Sequence, residues 1–206
     1  MSDAVLHEEL PLFPLQTVLF PDGRLDLKIF EARYLDLMSQ CMREQRPFGV
    51  VALRSGGEAR VSDAPVALHD GGTLAELIEV DSAQAGILEV RARGGRRFTL
   101  EAPRQRADGL WVGCARELPA DAVVMPGALH AGIVESLQRA IATIAAQGAM
   151  PFLEPHRFDD AGWVANRWCE ILPIPLEAKQ RLMMLGDPLG RLDIVDASMR
   201  GEPPVH

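Results

Sequence analysis

The sequence predicts an α+β chain: a small β-barrel-type body followed by an all-helical part. Three observations predict it. Up to about residue 117, short apolar runs alternate with Gly- or Asp-rich breaks (SGGE, HDGG, RGGR, RADG), the rhythm of a small barrel or sandwich. Beyond residue 127 the apolar spacing becomes that of helices. Between the two, residues 118–127 hold Pro119, Pro126 and Gly127 and read as a linker. The expected division is 1–120 for the β part, which carries one helix, and 121–206 for the helical part.

Residues 9–38 read ELPLFPLQTVLFPDGRLDLKIFEARYLDLM. Leu10, Leu12 and Phe13, then Val18, Leu19 and Phe20, are expected as short strand pieces. Pro11, Pro14 and Pro21 have no N–H to give to a ladder, which places this stretch at an irregular sheet edge. Pro21-Asp22-Gly23 signals a turn, and Leu25, Leu27 and Ile29 alternate as a further strand. From Phe30 the period changes. Phe30, Tyr34, Leu37, Met38, Cys41 and Met42 share one face of an amphipathic helix, with Asp36, Gln40, Arg43 and Glu44 opposite. Pro47 ends it. Strands are expected at 48–53, 73–80, 86–92, 96–100 and 110–115, with Gly71-Gly72 and Gly94-Gly95 as turns. In RARGGRRF a two-residue loop mixes the faces. A three-residue loop pairs Val90 with Phe98 and Leu88 with Leu100, so that apolar residues share one face, and this register is expected.

In the helical part, Leu129, Ile133, Leu137, Ile141 and Ile144 keep helical spacing. Trp163, Val164, Arg167, Trp168 and Ile171 do so in a second segment. Leu172-Pro173-Ile174-Pro175 is an extended break before a third helix over 176–185. Gly186-Asp187-Pro188 stops that helix and starts the last, with Asp187 as N-cap and Pro188 at the first helical position. Leu189, Leu192, Val195 and Met199 form its apolar side. The ending GEPPVH is expected to fray.

Composition narrows the function classes. Hydrophobic residues make up 48% and charged residues 24%, an ordinary globular balance. No apolar run approaches the ~18 residues of a bilayer span. The acidic opening MSDAVLHEEL lacks a secretory layout, so a cytoplasmic setting is expected. Net charge is −8, and each part carries −4, whereas nucleic-acid binders usually show a basic domain or stripe. Cys41, Cys114 and Cys169 are far apart with no CxxC, and are expected as reduced, small hydrophobes.

No motif points to catalysis. A P-loop, a GxGxxG and a GxSxG are all absent from the sequence. His7, His69, His130, His156 and His206 are scattered, with no metal-ligand spacing, and no metal or cofactor is expected. Neither Lys28 nor Lys179 has a local serine. His156, near Asp159 and Asp160, reads as part of a solvated loop rather than an acid–base cluster. Arg91, Arg93, Arg96, Arg97, Arg104 and Arg106 are the one concentration of positive charge. They read as an outer sheet face relieved by Glu89 and Glu101 in preference to a phosphate-backbone site, since few aromatics interleave them. Met42, Met125, Met150, Met183 and Met184 offer adaptable contacts where exposed, with core packing expected for most.

LPLFPL at 10–15, LFP at 19–21, and Lys28 followed by IFEARY ending at Tyr34 resemble the opening of the Lon protease N-terminal domain family, the LON substrate-binding domain. GGTLAELIEV at 71–80 and RRFTL at 96–100 are similar to its following strands. The segment at 172–195 resembles its closing motif through Lys179, Gln180, Leu182, Asp187, Arg191 and Leu192. The resemblance covers most of the chain in order. It implies a PUA-like β part followed by helices, and a domain linked to polypeptide recognition and assembly. Full Lon proteases add an ATPase and a Ser-Lys protease, of which this sequence shows no motif. A stand-alone, non-catalytic module is therefore expected.

The resemblance leads to a first functional expectation: a module binding unfolded or partly exposed polypeptides, or a protein partner, in a groove between the β body and the helices. The alternative is an RNA- or anion-binding PUA-like module using the Arg91 to Arg106 strands. A small hydrolase ranks last. In the IFEARY motif, Phe30 and Tyr34 are expected to point inward, with Glu31 and Arg33 forming a structural clasp rather than a ligand site. No binding residue is assigned.

Overall fold

The computed structural model describes residues 4–56 and 66–201. Gly57 and Glu58 of the SGGE break, and residues 202–206 of the ending, lie outside the described residues. The chain divides into two compact units, residues 1–120 and 121–206.

The first unit contains β1 (Leu6–Leu15), β2 (Arg24–Ile29), α1 (Ala32–Glu44), β3 (Phe48–Ser55), β4 (Ala67–Gln84), β5 (Ile87–Gln105) and β6 (Trp111–Glu117). The strands form one mixed sheet in the order β2-β5-β4-β3-β1-β6, and β6 returns to pair with β5. That return closes a ring. Among the described strands only β1 and β3 run parallel, from Leu12↔Gly49 to Leu15↔Ala52.

Three expectations change here. First, β1 is not an edge: it lies between β3 and β6, with Pro14 opposite Val51 and Pro11 opposite Val112. The missing proline donors are tolerated because β1 meets β3 over four residues and its β6 ladder is already irregular between His7 and Leu10. Second, Val18, Leu19 and Phe20 are buried but belong to no strand. Thr73 Oγ1 donates to the Leu19 carbonyl at 2.6 Å, and the Asp22 N–H donates to the Gly94 carbonyl at 2.7 Å, so this segment lies strapped across the sheet.

Third, the glycine pairs are not turns. Gly71-Gly72 lies inside β4 and Gly94-Gly95 inside β5, two continuous strands of 18 and 19 residues. A Cβ on Gly72 would stand 2.2 Å from the Val50 carbonyl oxygen, and one on Gly94 would stand 2.0 Å from that of Phe20. Glycine is needed there for close backbone approach, not for positive φ. The Val90–Phe98 hairpin is therefore absent. Val90 pairs with Val80 and Leu27, and Phe98 with Gly72 and Glu117. The chain reverses at Gly86 (φ +80°) and at Gly109 (φ +84°) instead.

Among the described residues, two apolar clusters stand out in the first unit. One joins Phe13, Ile29, Val50 and Val90 to the α1 face made by Tyr34, Leu37, Met38 and Cys41. The other gathers Leu10, Leu12, Val51, Leu74, Phe98 and Leu100. Phe13 and Tyr34 stack with centroids 4.0 Å apart.

The second unit holds a 3-10 turn (Ala128–His130), α2 (Ala131–Ala146), α3 (Ala161–Ile171), α4 (Leu176–Met184) and α5 (Pro188–Met199). Every residue of α3 from 161 to 169 is buried. Asp160 caps it, accepting the N–H groups of Gly162 and Trp163 at 3.0 and 3.3 Å. Ile133, Leu137 and Ile141 of α2 are buried, and Trp168 Nε1 donates to the Ile133 carbonyl at 3.2 Å. Leu129 sits in the 3-10 turn, off the helical register, and is 92% exposed. Pro188 opens α5 after Asp187 as expected, although the Asp187 side chain makes no cap bond.

Candidate functional site

The IFEARY motif mostly builds the fold. Arg33 Nη2 lies 2.7 Å from Glu31 Oε2, and Nη1 donates to the Gly109 carbonyl at 2.7 Å. Its guanidinium also covers the Tyr34 ring, 4.7 Å from the centroid. The arginine thus ties the start of α1 to the β5–β6 turn. Phe30 departs from expectation. It precedes the helix N-cap, Glu31, instead of lying on the apolar face, and is 65% exposed.

The closing motif is structural as well. Arg191, fully buried, donates to Asn166 Oδ1 at 2.8 Å, to Asp121 Oδ2 at 2.8 Å, and to the carbonyls of Leu182 and Leu185. Lys179 Nζ donates to the Glu170 carbonyl at 3.1 Å near the end of α3. His156 is half-buried against Trp163 and Phe158, with centroids 5.6 and 5.7 Å away. His156 lies in a loop with Asp159 exposed, but its ring packs on aromatics rather than standing fully in solvent, and Asp160 is engaged as a helix cap.

The arginine strands do not form a cationic face. Arg91 pairs with Asp26 and Glu79, Arg93 with Asp22, Arg96 with Glu117, Arg104 with Glu9, and Arg106 with Asp108. Arg97 is buried. Acids from β1, from β2 and the turn before it, and from β4 and β6 neutralise the charge locally, so little remains to release counterions from a polyanion.

The cysteines are free: Cys41 and Cys169 buried, Cys114 half-buried. Burial, with Glu44 adding to it, pushes the Cys41 thiol up to about 11. Burial pushes that of Cys169 up to about 12. Both are protonated and inert at neutral pH. Among the described residues, no three His, Cys, Asp or Glu side chains gather as a metal site. No described helix is long and apolar enough to cross a membrane.

One concave surface of mixed polar and apolar lining lies in the first unit. The C-terminal half of α1 and residues 76–80 of β4 enclose a groove of about 540 Å³. Cys41, Met42 and Pro47 form one wall, and Leu77, Ile78 and Val80 the other. Met42 and Ile78 are 46% and 50% exposed. Glu76, Glu79 and Arg46 stand at the same opening. A second hollow of about 740 Å³ adjoins it, shares Cys41, Arg46 and Pro47, and reaches Leu6 and Leu10 of β1.

Of the five methionines singled out in the sequence, Met42, Met125 and Met150 are exposed, Met184 is half-buried and Met183 is buried. Core packing for most of them is thus overturned. The apolar period of α1 gives no sign that Met42 falls just beyond the covered face. The groove also needs the far half of β4, which a turn at Gly71-Gly72 would have displaced.

This is an α+β chain of a defined class: a closed mixed ring with one packed helix and a surface groove, followed by a helical unit ordered around buried arginines. The chain belongs to the ATP-dependent protease La (LON) substrate-binding domain family, whose model matches residues 9–199. It is similar to a Lon N-terminal domain protein from Xanthomonas campestris, known from its crystal structure. The two are 30% identical with a TM-score of 0.72, over 96% of this chain and all of that one. The N-terminal domain of the Mycobacterium avium complex Lon protease shares the fold, at 15% identity and a TM-score of 0.58, over 91% of this chain and 96% of that one. No curated protein sequence matches.

Proposed function

We propose that this protein is a non-catalytic recognition module that binds polypeptide segments or a partner exposing apolar side chains. The observation that carries the reading is the groove between α1 and β4, where Met42 and Ile78 stand half-exposed beside Pro47 and Leu77. A flexible thioether and a branched aliphatic side chain on a concave surface accept varied apolar partners. Membership of a family described as substrate-binding supports it. The reading includes a cytoplasmic setting, which suits three free thiols. The arginine strands, paired with acids, do not favour the RNA- or anion-binding alternative.

The test is fluorescence anisotropy of the purified protein against a labelled, carboxymethylated and therefore permanently unfolded polypeptide. A labelled single-stranded RNA runs beside it, both at low and moderate salt. Saturable polypeptide binding that persists in salt is expected. RNA binding alone, lost as salt rises, would overturn the reading.

A further inference from the structure

Strand β4 outruns its neighbour. Its ladder with β3 ends at Phe48↔Ala75. There Pro47 and the left-handed Gln45 (φ 51°) connect β3 to α1. Residues 76–84 keep β5 on one side. On the other, no strand pairs with them among the described residues. Residues 76–80 line one side of the groove and the end of α1 the other. Leu77 and Val80 turn to the core shared with α1, while Glu76 and Glu79 share the outer face with Arg93 and Arg91. A strand side without a partner presents N–H and C=O groups ready to bond an added chain. Five residues offer about 17 Å of such edge at ~3.3 Å each.

Two side chains give the edge its chemistry. Ile78 is a bulge residue: Leu77 pairs with Ala92 and Glu79 with Arg91, leaving Ile78 with no partner on β5 and half exposed. Glu76 is exposed and makes no ion pair among the described residues. A bulge and acidic side chains can also guard an edge against accidental pairing. A guarded edge has no need of an apolar groove with exposed Met42 beside it. The combination suits a segment bringing its own main-chain bonds, apolar side chains for Met42 and Ile78, and a cation for Glu76.

We propose that residues 76–80 of β4, faced by the C-terminal half of α1, capture an extended polypeptide segment of alternating apolar and basic residues as an added strand. The proposal rests on the polypeptide-recognition reading and supplies its mode and preferred sequence chemistry.

The test uses the full chain and a fluorescein-labelled nine-residue peptide alternating Val and Lys. Its Val/Glu counterpart and two forms N-methylated at odd or at even amides run in parallel, beside the unfolded polypeptide. The Val/Lys peptide is expected to bind and the Val/Glu peptide not. One N-methylated form alone should bind about tenfold more weakly, because only one set of amides faces β4. Ile78→Asp and Glu76→Lys change exposed side chains, keep the wild-type circular dichroism, and should each weaken the Val/Lys peptide about tenfold. Equal binding by both N-methylated forms and the parent peptide would overturn strand addition. If the unfolded polypeptide binds wild type and both variants alike, the edge assignment falls while polypeptide recognition stands. If neither probe binds wild type, both fall.

Discussion

Cys41 and Cys169 hold their protons more tightly in the folded chain than in the unfolded one, because burial disfavours the thiolate. Their contribution to stability is therefore whole below an ordinary thiol value near 9. It is lost as pH rises through about 11 for Cys41 and about 12 for Cys169. Urea unfolding at pH 8, 9 and 10 should show a decline to which each thiol adds on the order of 1 kcal/mol by pH 10. Cys41→Ala should make that decline shallower, which separates the thiol from lysine and tyrosine titrating in the same range. A parallel decline in wild type and variant would refute it. In the native protein at pH 8, the half-buried Cys114 should be the thiol that a colourimetric reagent modifies first.

At the scale of the element, the two glycine pairs show what a sequence conceals. A Gly-Gly step between apolar runs marks a turn in many chains. Here it marks a place where another backbone comes close, the Phe20 strap at Gly94 and the paired strand β3 at Gly72. Gly94 receives the Phe20 carbonyl and Gly72 that of Val50, whereas a Cβ on Gly95 would meet first the flexible Glu76 carboxylate at 3.1 Å. Gly94→Ala and Gly72→Ala should each cost about 1–3 kcal/mol through overpacking, and Gly95→Ala much less. Denaturant midpoints of the three variants measure it, and equal losses would remove the close-approach account. The helices were more legible. Asp187-Pro188, Leu172-Pro173 and the apolar periods of α1 and α3 are local signals, and the chain obeys them. Phe30 and Leu129 escape because each lies outside the helix that its spacing continues, where the period no longer fixes direction. The edge of β4 escapes because an edge is a property of neighbours, which a single sequence does not display.

For the molecule as a whole, the two apolar clusters described in the first unit draw on residues up to Ala115. A chain ending at Ala120 should therefore unfold in one cooperative transition, with the near-ultraviolet dichroism of a packed core. A broad, non-cooperative melt would show that the first unit depends on residues 121–206 for its stability.

The order of strands around the ring also bears on how the protein is made. Of the six strands β1 leaves the ribosome first, yet one of its two partners, β6, is the last strand of the unit. Until Glu117 emerges, the nascent chain carries the apolar LPLFPL segment with one flank unclosed, and the ring cannot form. Such long-range closure is slow, and the open flank is a place where neighbouring chains on a polysome can join by mistake. Under the proposed function, the domain spends its own synthesis as a chain of the kind it would bind.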